Sequence, residues 1–319
     1  MDIFRNEPYT NTLYAIKILN TNNHIKRIIM RRLLILGIFL LVTVTVFSQD
    51  SIYELGPDSQ LQLGVPKGVV TKYEWESEIY KNTFREYYIY VPAQYDSTKP
   101  AALMVFQDGH AYVDEDGYFR VPVVYDNLIH QKKLPITICL FVNPGHSSKE
   151  YPPVRWRVSN RREEYDVLND KYVTMLLDEI IPEVKKKYNI SNDRKMHGIG
   201  GLSSGAICAF TAAWQRTDYF HKVLSHIGSY TDIRGGHNYP SMIRKNKKKD
   251  IRIFMQDGSD DLNNEFGDWW LGNLQMESAF KFKNYDFKFE KGTGSHNGKH
   301  GGAILPESLI WLWRDLNIE

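Results

Sequence analysis

The chain carries a series of short apolar runs separated by polar stretches with a helical period. Ala101–Phe106, Ile136–Val142, Lys222–Ile227 and Asp250–Met255 are almost continuously apolar, which is the pattern of strands covered on both faces. Lys195–Ile199 and Tyr285–Phe289 are shorter candidates of the same kind. Upstream, Val69–Trp75 and Glu78–Val91 alternate instead. There Tyr87, Ile89 and Val91 share one face, Tyr88 and Tyr90 the other, and Pro92 ends the run. Such alternation predicts antiparallel strands. In Tyr172–Tyr188 the apolar positions Val173, Leu176, Leu177, Ile180, Ile181 and Val184 recur every three or four residues, which predicts a helix. Val123–Gln131, Gly205–Trp214, Leu274–Phe280 and Ile304–Leu316 read as further helices.

Strands alternating with helices predict an α/β fold, a mainly parallel sheet with helices on both faces. Residues 69–319 are expected to form this one domain, with 49–68 as a lead-in segment. In such sheets the chemistry gathers beyond the C-terminal ends of the strands. The loops to search are therefore Asp108–Tyr112, Asn143–Arg162, the turn at Ser203, Asp257–Asp261 and Gly292–His300.

Composition narrows the partners. The 319 residues carry a formal net charge of +2, which gives no electrostatic case for nucleic acid. The clusters Lys185–Lys187 and Lys245–Lys249 read as solvated surface. Met30-Arg31-Arg32 precedes the uncharged run Leu33–Phe47 and then Ser48-Gln49-Asp50. A basic segment, an apolar segment and small residues before a polar start predict a signal peptide over 30–48, cleaved after Ser48. The run is short for a membrane span, so no stable span is expected after cleavage. The mature protein is then expected in the periplasm or outside the cell. Residues 1–29 are mixed and polar, and are expected to be a non-native extension ahead of a start at Met30. Cys139 and Cys208 lie in apolar segments and read as core.

Gly201-Leu202-Ser203-Ser204-Gly205 fits the pattern of a nucleophile elbow, a serine on a sharp turn between a strand and a helix. A helix that begins just after Ser203 aims its free N–H groups at a developing oxyanion. A serine needs a base, and the base needs a group that holds its tautomer. The order Ser, acid, His is available downstream. The acid is Asp257, Asp260 or Asp261, and the base His296 or His300. His296 and His300 also have the spacing of two metal ligands on a helix, but Asn297-Gly298-Lys299 is a poor helix and no third ligand group stands out. No metal and no cofactor are expected. Trp156, Trp269 and Trp270 are candidates to stack on a sugar or phenolic ring, or to pack in the core.

Together, Pro92–Asp96 (PAQYD), Val105–Gly109 (VFQDG), Glu164–Asp166 (EYD), Glu179–Val184 (EIIPEV), the elbow, Gln256–Asn263 (QDGSDDLN) and Gly294–Trp313 resemble the putative-esterase family of α/β hydrolases. That family includes enterochelin-esterase-like proteins, feruloyl and acetyl-xylan esterases, esterase D and the mycolyltransferases. The resemblance spans about 69–316 and implies an α/β-hydrolase fold and a serine esterase. It places the nucleophile on Ser203, the acid on Asp261 with Asp260 adjacent, and the base on His296. It implies oxyanion donors at the backbone N–H groups of Ser204 and His110. It further implies that Arg161 and Glu164 support the active-site loop through an ion pair, and that His300, an extra histidine, touches substrate. The implied substrate is a small-molecule or glycan ester bearing acetyl or feruloyl groups. A siderophore ester, transfer of the acyl group to a sugar, and a non-catalytic binding protein on the same scaffold are the alternatives.

Overall fold

A computed structural model describes residues 52–316, so the expected signal peptide and the extension before it lie outside the described residues. Eight strands form one sheet in the order β1-β2-β4-β3-β5-β6-β7-β10. They are β1 (Val69–Ser77), β2 (Thr83–Val91), β3 (Ala102–Gln107), β4 (Thr137–Val142), β5 (His197–Leu202), β6 (Lys222–His226), β7 (Arg252–Asp260) and β10 (Asp286–Ser295). A two-residue hairpin, β8 (Asn263–Asn264) with β9 (Gly267–Asp268), follows β7. β1 and β2 pair antiparallel, as do β2 and β4, and every later pairing in the sheet is parallel. The alternating strands thus lie at one edge and the continuous apolar runs in the middle.

Successive side chains of each central strand feed two separate cores. Leu103, Val105, Ile138, Leu140, Ile199 and Val223 face one layer; Ala102, Met104, Phe106, Cys139, Phe141 and Leu224 face the other. The first layer is covered by α4, running as Lys171–Met175, a π turn at Leu176–Ile180 and Ile181–Lys187, and by α5 (Ser204–Gln215). The second is covered by α2 (Val121–His130) and α9 (Leu305–Trp313). Burial on both faces is why these strands carry no polar alternation. Both cysteines are free and buried in these layers.

Four elements run further than the apolar pattern predicts. β5 is shifted C-terminally from Lys195–Ile199, because glycines dilute its hydrophobic signal. A Cβ on Gly198 would lie 2.5 Å from Met104 Sδ, and one on Gly200 2.8 Å from Leu224 Cβ, so neighbouring side chains fill the strand's faces. β7 and β10 continue past Met255 and Phe289, pairing with each other through their polar ends as far as Asp260 and Ser295. The helix expected at Leu274–Phe280 is α7 (Trp269–Phe282), started by Asp268, whose Oδ1 accepts the Leu271 N–H at 2.9 Å.

The lead-in is bound to the domain along its length. Asn127 Nδ2 donates to the carbonyls of Asp58 and Gln60 at 2.9 and 2.8 Å, and the Gly68 N–H donates to Asp126 Oδ1 at 2.8 Å. Tyr53 stacks on His300 with ring centroids 4.1 Å apart, and its hydroxyl accepts the Thr293 N–H. Among the described residues no helix is long and apolar enough to cross a membrane.

Candidate active site

β5 delivers Ser203 to the cap of α5 with φ 55° and ψ −123°, a conformation that a non-glycine residue holds only when its surroundings impose it. The flanking glycines make room for it. A Cβ on Gly201 would lie 2.5 Å from the Gly205 carbonyl, and one on Gly205 2.8 Å from Asp108 Oδ2. Strand and helix can approach this closely only without those side chains.

His296 follows β10 and Asp261 follows β7. His296 Nε2 lies 2.8 Å from Ser203 Oγ, and His296 Nδ1 lies 2.5 Å from Asp261 Oδ1. Asp261 Oδ1 also accepts the Leu262 N–H. Because a carboxylate only accepts, Nδ1 carries the proton and Nε2 is the acceptor for the serine hydroxyl. Ser203, His296 and Asp261 are therefore hydrogen-bonded in the order that acyl transfer requires. Asp260 is exposed at the end of β7, opposite Ser295, and has no part in that chain.

Ser229, in the loop after β6, escapes the sequence pattern. It is buried, its Oγ lies 3.2 Å from Ser203 Oγ, and it accepts the Trp269 Nε1–H at 2.9 Å. Ser203 donates to His296, so Ser229 donates to Ser203. The strand-end rule reaches this loop, but a lone serine beside a glycine carries no further signal. Trp269, a candidate to stack on substrate, is buried instead, with its ring edge-on to His296 at 5.9 Å between centroids. Trp270 packs against Phe289.

Several expected contacts are replaced by others. The N–H of Ser204, first residue of α5, has no partner within the helix. The His110 N–H is not free. It donates to Asn143 Oδ1 at 2.8 Å, and the His110 ring Nδ1 lies 3.1 Å from the same oxygen. Asn143 follows β4 directly beside the turn after β3, which puts its side chain across that turn. Burial lowers the pKa of His110. His300 is not among the residues that line the cleft at Ser203. It is buried, stacks on Tyr53, and its Nδ1 meets Gln256 Nε2 at 3.0 Å. Burial, with His300 nearby, pushes the neighbouring His226 down to about 3.

Arg161 and Glu164 are both ion-paired, but not with each other. Arg161 grips Asp108 with two hydrogen bonds of 2.8 and 2.7 Å, and Glu164 grips Arg85 with two of 2.9 and 3.0 Å. The two residues lie on the short helix α3 (Arg161–Tyr165), and each turns to a buried partner on a different strand end. Asp108 holds φ 53°, and the Tyr165 hydroxyl accepts its N–H. The turn after β3 is thereby fixed to the loop that ends in α3.

A cleft of about 680 Å³ opens over Ser203 and His296. Tyr118, Phe119, Trp156, Leu202 and Ile227 give it apolar walls, and Asp114 and Asp116 lie at its exposed edge. Tyr118 and Trp156 are about half exposed. Among the described residues no group of three histidine, cysteine or acidic side chains is placed to hold a metal.

Residues 80–310 match the family described as putative esterase. The chain belongs to that family. The enterobactin esterase FES from Shigella flexneri has a similar fold, with a TM-score of 0.64 and 20% identity. That match covers 83% of this chain and 64% of the other, so this chain spans less than two thirds of the Shigella protein's length. The CE1 ferulic acid esterase AmCE1/Fae1A from the fungus Anaeromyces mucronatus matches with a TM-score of 0.61 and 16% identity, over 81% of this chain and 97% of that one. The uncharacterized protein YbbA of Bacillus subtilis (strain 168) is 22% identical over 181 residues, 56% of this chain and 69% of that protein.

Proposed function

We propose that the protein is a serine esterase that cleaves a carboxylic ester through an acyl-enzyme. The observation that carries this is the unbroken hydrogen-bonded path from Ser203 Oγ through His296 to Asp261. Ser203 Oγ attacks the ester carbonyl as its proton passes to His296 Nε2. The imidazolium that forms is held by Asp261, and its Nε2 proton goes to the leaving alcohol. Water then attacks the acyl-enzyme, gives a proton to His296, and releases the acid and the free serine. The Ser204 N–H at the start of α5 stabilises the tetrahedral oxyanion.

The charge of the cleft supports a neutral ester over a siderophore. Arg161 is the basic residue of the wall, and Asp108 already neutralises it. Asp114 and Asp116 would repel a polyanionic catecholate. Flat walls at Tyr118 and Trp156 suit a phenolic or sugar ring, so feruloyl or acetyl esters of glycans are the substrate class. Secretion, expected from the segment 30–48, would bring the enzyme to such glycans. Hydrolysis of feruloyl- and acetyl-sugar esters by wild type, and its loss in Ser203→Ala, tests the reading. Equal hydrolysis by both proteins would remove it.

A further inference from the structure

Asp257 lies on β7 four residues before Asp261 and is wholly buried. Its Oδ1 accepts the Gly258 N–H at 2.8 Å. Its carboxyl lies against the Asp261 carboxyl and the Asn273 side chain. Asp257 Oδ2 and Asp261 Oδ2 belong to these adjoining carboxyls. Both are buried, and neither receives a hydrogen bond from an N–H or O–H group. The Asn273 amide cannot be turned to help. Its Nδ2 already donates to the carbonyls of Gly228 and Trp269, at 2.9 and 3.0 Å.

Two buried acceptors without a donor are costly, and two adjoining carboxylates more so. One proton on Asp257 Oδ2 resolves both problems. Asp261 is the better acceptor of that proton, because it is the one whose charge His296 needs. We infer that Asp257 is a neutral carboxylic acid whose Oδ2–H holds the second oxygen of Asp261, making Asp257 a positioning residue for the catalytic histidine. This rests on the serine-esterase reading above.

The electrostatics agree. Burial, and then Asp261 beside it, hold the Asp257 carboxyl well above the ordinary carboxylate range. The surrounding groups are Asp260 on its own strand, Asp261 just after it, Lys291 opposite it on β10, and Asn273 and Glu277 on α7. Lys291 is turned to Glu277 at 2.7 Å, and His296 lies beyond Asp261. With Asp257 neutral, Asp261 keeps one oxygen for His296 and the Leu262 N–H, and the other for the Asp257 proton. The carboxylate plane is then fixed from both sides.

The rate at which a fluorophosphonate probe labels Ser203 reads this without knowledge of the substrate. It is measured from mildly acidic to strongly alkaline pH on wild type, Asp257→Asn and Asp257→Leu. Asn keeps a neutral donor; Leu supplies none. The expected result is labelling slowed about tenfold or more in Asp257→Leu, and largely recovered in Asp257→Asn. Wild type should slow again at strongly alkaline pH, as Asp257 ionises, and Asp257→Asn should not. A folded Asp257→Leu that labels as fast as wild type overturns the proposal and leaves the triad standing. If the Leu variant does not fold, an identical alkaline fall in Asn and wild type overturns it as well. Failure of wild type to label at Ser203 removes the esterase reading, and this proposal with it.

Discussion

Gly258 and Gly294 face each other across β7 and β10 so closely that a Cβ on Gly258 would lie 2.0 Å from the Gly294 carbonyl oxygen. The acid comes three residues after the first glycine and the histidine two residues after the second. The spacing of Asp261 and His296 is therefore set by two backbones in contact. Gly258→Ala should push the strands apart, lower stability by about 2 kcal/mol or more, and reduce kcat more than it raises KM. Thermal unfolding and steady-state kinetics on one ester substrate check both.

Ser203→Ala should reduce ester hydrolysis by roughly 10⁴-fold or more while leaving the melting temperature close to wild type. The strained backbone at this position persists, because the close packing of strand and helix at Gly201 and Gly205 is unchanged. Activity of the pure variant, beside its thermal melt, is the measurement.

The neutral Asp257 has a consequence for stability. Its carboxyl is ionised in the unfolded chain at neutral pH and protonated in the folded one, so folding takes up a proton. The stability that the protonated form contributes is complete below the unfolded pKa. It declines as pH rises toward the raised folded value. Across that window the dependence is about 1.4 kcal/mol per pH unit. Asp257→Asn should lack this component, so its stability should gain on wild type as pH increases. Denaturant unfolding at several pH values gives the difference in slope.

Glu164 and Arg85 both have side chains that are 0% exposed. Glu164→Gln would leave the guanidinium buried against a neutral group, and should cost about 3–5 kcal/mol. The Gly145 N–H, which donates to Glu164 Oε2 at 3.1 Å, loses a charged acceptor in the same variant. Chemical unfolding curves measure the loss.

Trp156→Ala should raise KM for feruloyl esters about threefold to tenfold, since a stacked aromatic contact is worth roughly 0.5–1.5 kcal/mol, and should leave kcat near wild type. Small acetyl esters, which do not reach Trp156, should be unaffected. Parallel kinetics on the two substrates separate these outcomes.

The fold was legible wherever burial writes itself into hydrophobicity. The runs at β3, β4, β6 and the start of β7 are apolar because both faces are covered. Where a neighbour supplies the bulk, as Met104 and Leu224 do for Gly198 and Gly200, the strand leaves no apolar trace in its own residues. The family resemblance was legible as well, since the matched residues 80–310 fall within the span that carried it. The elbow was legible because strain and close packing restrict Gly201 and Gly205. Ser229, Asn143 and Asp257 were not distinguished, because their place in the site depends on which partner meets them across the sheet. Arg161 and Glu164 illustrate the same limit. The resemblance implies one ion pair between them, and the fold makes two with other partners.

Tyr53, Asp58 and Gln60 precede the first strand, yet their contacts end on His300, Thr293, Asn127 and Gln131. A boundary drawn at Val69, where the strand pattern begins, would cut away the ring that covers His300 and the oxygens that occupy Asn127. The residues just ahead of the two helices that carry Asn127 and His300 also line the cleft, through Phe119 and Asn297. Trimming the chain to its sheet would thus loosen the catalytic end from a segment that contains no catalytic residue. Its protection from proteases should rise and fall with occupancy of the cleft.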